Sequence, residues 1–172
     1  MINKKIEKAI NEQINAELFS AYLYLSMGAY FDSINLTGFS NWMKVQAKEE
    51  YGHAMKFYQY LNDRGGRIVM KAIAAPKTSW KSPLDAFGEV LKHEVKVTGL
   101  INKLVDLSIS ENDHATRAEL QWFVTEQVEE EASADEIVQQ LQLMKDAPGG
   151  LFMLDRELAK RTFTPPSTEG GE

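Results

Sequence analysis

The chain has 172 residues, a formal net charge of −6 and no cysteine, so it suits one domain with a sizeable core and excludes disulfides, cysteine-ligated zinc and iron–sulfur clusters. The acidic balance and the lack of a basic run argue against nucleic acid as a partner. No segment approaches the ~18 apolar residues of a membrane span and none resembles a signal peptide, so we expect no membrane association and a cytoplasmic protein.

The first two elements are predicted to be long helices, because their apolar residues recur at spacings of three and four. The first helix runs from about Asn3, a good N-cap residue, to about Asp32. The second starts near Thr37 and Gly38 and ends at Gly65 and Gly66, a strong helix-stop signal.

Three further helices follow the same spacing rules. Ser82 and Pro83 open the third, as an N-cap followed by proline at the first helical position. The fourth begins around Asp113 and ends near Asp146. A short fifth helix over residues 151–158 is too apolar for a lone surface helix, so we expect it to dock on a partner subunit.

The connection between the second and third helices fixes the topology. It spans residues 67–82 and can extend over ~50 Å, whereas a helix of about 27 residues is ~40 Å long. The third helix can therefore return parallel to the second. The sequence predicts an all-α, ferritin-like four-helix bundle with one long crossover and a short C-terminal helix. We expect residues 1–163 to form this domain and residues 164–172 to be a disordered tail.

Each of the four long helices carries polar residues in the middle of its apolar stripe. The estimated helix midpoints lie near residues 18, 51, 97 and 130. Residues at mid-height on inward faces meet at one level whatever the helix directions. A single carboxylate on one stripe would most often be a misjudged face, but four interrupted stripes at one height indicate a site. The residues are Glu17, Glu50 with His53, Glu94, and Gln127 with Glu130.

These side chains predict a pair of bound cations. Buried carboxylates without a basic partner are very costly unless something supplies positive charge. An oxygen-rich set with one imidazole and no sulfur favours iron or manganese over structural zinc. Glu17 and His53 would complete one site and Glu94 and Glu130 the other, with Glu50 as the bridge. Without metal, such crowded carboxylates must hold protons.

Neighbouring residues predict a second layer. Glu49, Glu126 and Glu129 each adjoin a stripe residue and could form a third metal position that shares Glu130. The alternative is a solvated acidic face. Tyr24 lies two turns from the first helix's glutamate and could hydrogen-bond a ligand or donate an electron, and an ordinary core tyrosine is the other interpretation.

These residues give the chain a family resemblance. Over about residues 3–163 it resembles the non-haem ferritins of bacteria and archaea, with agreement in the types, order and separations of the ligands. The matching segments are Asn15-Ala16-Glu17, Glu49-Glu50-x-x-His53-Ala54, His93-Glu94 and residues 126–131.

The resemblance implies an iron-storage cage of 24 subunits that oxidises Fe²⁺ at a di-iron centre, with O₂ or hydrogen peroxide as oxidant, and keeps a ferric mineral inside. It also assigns the residues. The ferroxidase centre would comprise Glu17, Glu50, His53, Glu94, Gln127 and Glu130, and the third iron site Glu49, Glu126 and Glu129.

Three departures separate the chain from two related families. Bacterioferritins have a second Glu-x-x-His on the fourth helix, where Gln127 and Glu130 stand here, and they ligate haem through a methionine in place of Tyr51, so we expect no haem. Animal ferritins place acidic residues in their threefold iron channel, where this chain has Arg117 and Leu120, which leaves the entry route of iron open.

Three functions compete on these grounds. The first is an iron-storage ferroxidase. The second is a di-iron peroxidase or oxygenase on the same bundle, although such enzymes usually need two Glu-x-x-His motifs or an attached redox domain. The third is a bundle that only assembles or binds partners, against which the interrupted stripes argue.

Overall fold

The computed structural model describes residues 2–145, 147 and 149–164, and within that range it contains helices and no strand. The helices are α1 Lys4–Ser33, α2 Thr37–Asp63, α3 Pro83–Ser110, α4 His114–Leu143 and α5 Gly150–Leu158. The all-α prediction is confirmed. None of these helices combines the length and apolar character that crossing a membrane requires. The predicted disordered tail lies, from residue 165 onward, outside the described residues.

Side-chain caps start three of the four long helices where the sequence predicted. The Asn3 side chain accepts a hydrogen bond from the backbone N–H of Lys5 at 2.8 Å. Ser82 does the same for Asp85 at 3.1 Å, and the Asp113 carboxylate caps α4. Each oxygen satisfies a backbone donor that has no partner within its helix, and this fixes the boundary.

The crossover runs along α1, and this sets the direction of α3. The Asn11 side chain bonds the carbonyl of Arg67 at 3.0 Å and the N–H of Val69 at 2.7 Å. Fifteen residues further along α1, Ser26 Oγ donates to the carbonyl of Lys77 at 2.7 Å. The linker therefore travels from the start of α1 to its end. A turn of only three residues, 34–36, joins α1 to α2 and makes them antiparallel. Therefore α3 begins beside the start of α2 and runs parallel to it, as predicted.

The fifth helix docks on its own chain. Leu154 and Leu158 are buried in the same apolar cluster as Trp42 of α2. On the opposite face Phe152 and Met153 are 64% and 73% exposed. The expectation that α5 docks on a partner subunit is thus incomplete, since one face of the helix completes the bundle and the other is exposed among the described residues.

A band of polar side chains divides the core into two apolar halves. One half lies around Phe31, Phe39, Trp42, Phe87 and Leu141, and the other around Ile10, Phe57, Ile101, Leu120 and Phe123. The band between them comprises Gln13, Glu17, Gln46, Glu50, His53, Glu94, Gln127 and Glu130, all of them buried. The two halves bury the apolar surface that holds the helices together, and the band sits at mid-height between them.

Candidate metal centre

The band brings carboxylates from all four long helices within reach of shared cations. One atom each from Glu17, Glu50 and His53 lie within 4.8 Å of one another, and the same holds for Glu50, Glu94 and Glu130. Glu50 is the member common to both groups. This is the arrangement that two metal ions bridged by one carboxylate require.

Two glutamines hold the carboxylates in position. Gln13 Nε2 donates to Glu17 Oε1 at 2.7 Å. Gln46 Nε2 donates to Glu50 Oε1 at 3.0 Å and to Glu130 Oε2 at 2.7 Å. The other oxygen of Glu17 is buried and has no hydrogen-bond partner among the described residues. A buried carboxylate oxygen without a donor is costly, and a cation would satisfy it.

Burial and mutual repulsion change the acidity of the centre. The pKa values of Glu17, Glu50, Glu94 and Glu130 are each raised to about 8. Loss of solvation is the main cause for every one of them, and the charge of a neighbouring carboxylate is the second. At neutral pH the four groups therefore hold protons that a metal ion must displace.

These raised pKa values predict how the stability and the metal affinity of the protein change with pH. A carboxyl group whose pKa is raised in the folded protein binds more protons folded than unfolded. The free energy of unfolding of chelator-treated protein should therefore fall as the pH rises from about 5 to about 8. Over the same window divalent-metal affinity should rise, because fewer protons have to be displaced. Denaturant unfolding and calorimetric Zn²⁺ titration at several pH values measure the two trends.

The control for this dependence is Glu17→Gln, which removes one of the titrating groups and keeps the side chain's size. It should flatten the fall in stability. A parent protein whose stability rises with pH across this window would contradict the buried, protonated centre.

The side chain of Tyr24 also contacts the centre. Its hydroxyl donates a hydrogen bond to Glu94 Oε1, and its ring meets the Trp42 ring edge-on at 6.4 Å between centroids. Burial, and then the charge of Glu94, raises the pKa of Tyr24 well above its usual value. The phenol therefore stays protonated and orients a carboxylate of the centre. Electron donation by Tyr24 stays a prediction.

Aromatic rings shield His53. Its Nδ1 lies 3.7 Å from Glu50 Oε2, and its ring packs edge-on against Trp122 at 5.4 Å and Phe123 at 6.1 Å. The imidazole can therefore turn only a limited arc. Trp122 thus packs against His53.

The predicted second layer is only partly assembled. Glu126 joins His53 and Glu130 in a third group of ligand atoms within 4.8 Å of one another. Glu49 instead forms an ion pair with Arg161, and Glu129 is exposed. The structure thus places one of the three outer glutamates against the centre and holds a second at its edge by a basic side chain.

Gln127 uses its amide within the band. Its Nε2 donates to the carbonyl oxygen of Glu94 at 3.3 Å and to Thr98 Oγ1 at 3.2 Å. The amide oxygen is thereby left for other partners. Gln127 thus lies at the edge of the centre, where the sequence predicted it.

Several residues of the site were missed by sequence reasoning. Gln13 and Gln46 each lie one helical turn before a glutamate of the centre, so a repeated Gln-x-x-x-Glu spacing was the available signal. His93 was assigned no role, yet its Nε2 lies 2.8 Å from Ser20 Oγ and its ring meets Tyr24 edge-on. Burial lowers the pKa of His93 to about 4, so it is neutral. No sequence pattern around Arg161 indicated that it would lie at the site.

The chain is similar to known proteins in sequence and in fold. Residues 7–144 match the family described as "Ferritin-like domain". The chain belongs to the ferritin family. A bacterial non-heme ferritin of Bacteroides fragilis is 45% identical over 161 residues, which cover 94% of this chain and 100% of that protein. One from Staphylococcus saprophyticus is 41% identical, covering 95% and 98%.

Solved ferritins share the fold closely. An open-pore ferritin of the hyperthermophilic archaeon Archaeoglobus fulgidus superposes with a TM-score of 0.93 at 52% identity, covering 94% of this chain and 100% of that one. A humanised archaeal ferritin gives 0.95 at 54% identity, covering 96% and 100%. Membership of the ferritin family supports a role in iron storage, and the ferritin-like bundle predicted from the sequence is confirmed.

Proposed function

We propose that this ferritin stores iron by oxidising Fe²⁺ at a dinuclear centre and keeping the Fe³⁺ as a mineral inside a 24-subunit cage in the cytoplasm. The observation that carries the proposal is the sharing of Glu50 between two buried ligand groups. Iron is here the substrate and cargo, and O₂ or hydrogen peroxide is the oxidant.

The protein's part in the reaction is to concentrate and orient charge. Glu17 and His53 would hold one Fe²⁺, Glu94 and Glu130 the other, and Glu50 both. Each Fe²⁺ gives up one electron, so a pair reduces O₂ to hydrogen peroxide with uptake of two protons. The protonated carboxyls release protons as the metals bind, and the fixed carboxylates then favour Fe³⁺ over Fe²⁺. Gln127 would complete the shell, and Tyr24 holds Glu94 in orientation.

A third iron position is proposed beside the pair, formed by Glu49, Glu126 and Glu129 with Glu130. The contact group of His53, Glu126 and Glu130 supports it. The negative charge of the outer carboxylates would attract iron that leaves the pair.

Variants of the outer glutamates test this third position. Glu49→Ala or Glu126→Ala should leave the fast oxidation of the first two Fe²⁺ per subunit unchanged, because neither residue belongs to the two groups joined by Glu50. The O₂ consumed per iron, or the rate of later turnovers, should change. Oxygen-electrode and stopped-flow measurements give both quantities. Parent-like stoichiometry and turnover in both variants, with only two metals in iron-soaked crystals, would identify these glutamates as a solvated acidic face.

Assembly into a cage is supported by the apolar side chains that the single chain leaves exposed. They include Tyr22 and Leu25 on α1, Tyr51 on α2, and Phe152 and Met153 on α5. Leu25 and Tyr51 line one surface cavity together, and contiguous exposed apolar surface is typical of subunit contacts.

One experiment separates the proposed function from its alternatives. Fe²⁺ is added in air to the purified protein, which is then sized by light scattering and assayed for iron. Many iron atoms retained per chain in a large particle support storage in a cage. About two per chain in a small particle would indicate a di-iron redox enzyme, and none would indicate a bundle without metal chemistry.

A further inference from the structure

Arg161, just after α5, reaches back to α2 and binds beside the centre. Its guanidinium donates to Gln46 Oε1 at 2.8 Å and to the Glu49 carboxylate. The same group lies over the Trp42 ring, 4.4 Å from the ring centroid. A charge-assisted hydrogen bond, an ion pair and a cation–π contact thus converge on one side chain.

The backbone around Arg161 is fastened at the same place. Asn41 Nδ2 donates to the carbonyl oxygens of Leu158, Ala159 and Arg161, at 3.2, 3.3 and 3.0 Å. A single asparagine on α2 thereby holds the end of α5 and the residues that follow. Arg161 and Asn41 together anchor residues 159–164 along α2.

One amide connects this anchor to the centre. Gln46 accepts from Arg161 through its oxygen and donates through its nitrogen to Glu50 and Glu130. The carboxylates of the proposed pair and the C-terminal segment therefore share a hydrogen-bonded bridge. Movement of the guanidinium would therefore disturb the carboxylates through Gln46, and movement of the carboxylates would disturb the guanidinium.

The guanidinium also lies beside the proposed third iron position. Its charge lies against Glu49, one of the glutamates of the proposed third iron position. Its Nη1 is buried with no hydrogen-bond partner among the described residues, so not all of its donors are satisfied there. A metal ion at Glu49 would be repelled by this neighbour and would compete with it for the carboxylate.

We propose that Arg161 is a cation-sensitive latch that competes with metal for Glu49. A cation taken up between Glu49 and Glu126 displaces the guanidinium, and residues 159–164 then detach from α2. The inference rests on the proposed third iron position. It adds that the C-terminal segment sets the affinity of that position and reports its occupancy.

The test compares Arg161→Gln with the parent and with Arg156→Gln. Arg156 is exposed on α5, and its guanidinium lies over the Phe152 ring, so the control removes the same charge from a position away from Glu49. Anaerobic calorimetric titration with Fe²⁺ measures affinity. Arg161→Gln should still bind two Fe²⁺ per chain, and it should bind a further Fe²⁺ about tenfold more tightly than the parent does. Arg156→Gln should match the parent throughout.

Hydrogen exchange supplies a second readout that does not depend on catalysis. The amides of Ala159, Lys160 and Arg161 are hydrogen-bonded to backbone carbonyls of α5. In the parent these amides should exchange slowly after chelator treatment and faster once more than two Fe²⁺ per chain are bound. In Arg161→Gln they should exchange fast in both conditions, and Arg161→Lys, which keeps the charge, should restore part of the protection.

The outcomes separate the latch from the function on which it rests. A parent that binds fewer than two Fe²⁺ per chain would overturn the proposed dinuclear centre. Two tight sites with no tighter third cation in Arg161→Gln, or an exchange rate of residues 159–161 that metal leaves unchanged, would overturn the latch alone.

Discussion

Replacing Glu50 with alanine is expected to slow the initial oxidation of Fe²⁺ by more than about tenfold. Glu50 is the residue common to both buried ligand groups, so its loss leaves both metal positions short of a ligand. Stopped-flow absorbance after mixing with two Fe²⁺ per subunit measures the rate. The fold should survive, because burying the Glu50 carboxyl group is itself unfavourable and alanine removes that group.

The matched control for this variant is Glu136→Ala. Glu136 is an exposed glutamate of α4 whose carboxylate accepts a hydrogen bond from Gln140 one turn away, and its loss should leave the rate unchanged. Circular dichroism and thermal unfolding establish that both variants fold. A folded Glu50→Ala protein with the parent's initial rate would remove the dinuclear assignment.

Replacing Gly38 with alanine is expected to destabilise the bundle by about 3 kcal/mol or more. A Cβ at this position would lie 1.6 Å from the backbone oxygen of Asp155 and 2.5 Å from its carbonyl carbon. Both are backbone atoms, so α5 itself must move. That movement breaks the cap in which Asp155 Oδ1 accepts from the N–H groups of Gly38 and Phe39, at 2.8 and 3.1 Å.

Gly99→Ala provides the contrast, because a Cβ there meets no atom of the described residues within 4 Å. In mid-helix the same substitution should stabilise the protein by about 0.5–1 kcal/mol. Denaturant unfolding of both variants after chelator treatment gives the comparison. If Gly38→Ala lost less than about 1 kcal/mol, α5 would not be seated as closely on α2 as the structure shows.

The fold could be predicted because its signals are local. Stripes of apolar residues specify the long helices, and Asn3, Ser82 and Asp113 mark three of their starts. The start of α2 was placed correctly, but its cap could not be foreseen. The capping carboxylate of Asp155 comes from 117 residues further along the chain, and no local pattern links it to Gly38.

The candidate site was predictable in its positions and less so in its contacts. Stripe positions bring Glu17, Glu50 and Glu94 to one level because helix geometry fixes where they project. The contacts of the outer glutamates were harder to predict, because a helix turns ~100° per residue. A small rotation of α4 is enough to expose Glu129 while Glu126 stays at the centre. Arg161 was beyond prediction, because a residue after the last helix has no periodic neighbours to place it.

The polar band between two apolar halves has a consequence for how this protein can vary. The free energy that holds the helices together comes mainly from the two apolar halves of the core. Substitutions within the polar band should therefore leave the fold intact. Gln127, an amide in a layer of acids, already fits there through Glu94 and Thr98. New metal preferences can therefore arise by swapping acids and amides of equal size within this one layer, while the scaffold on either side stays the same.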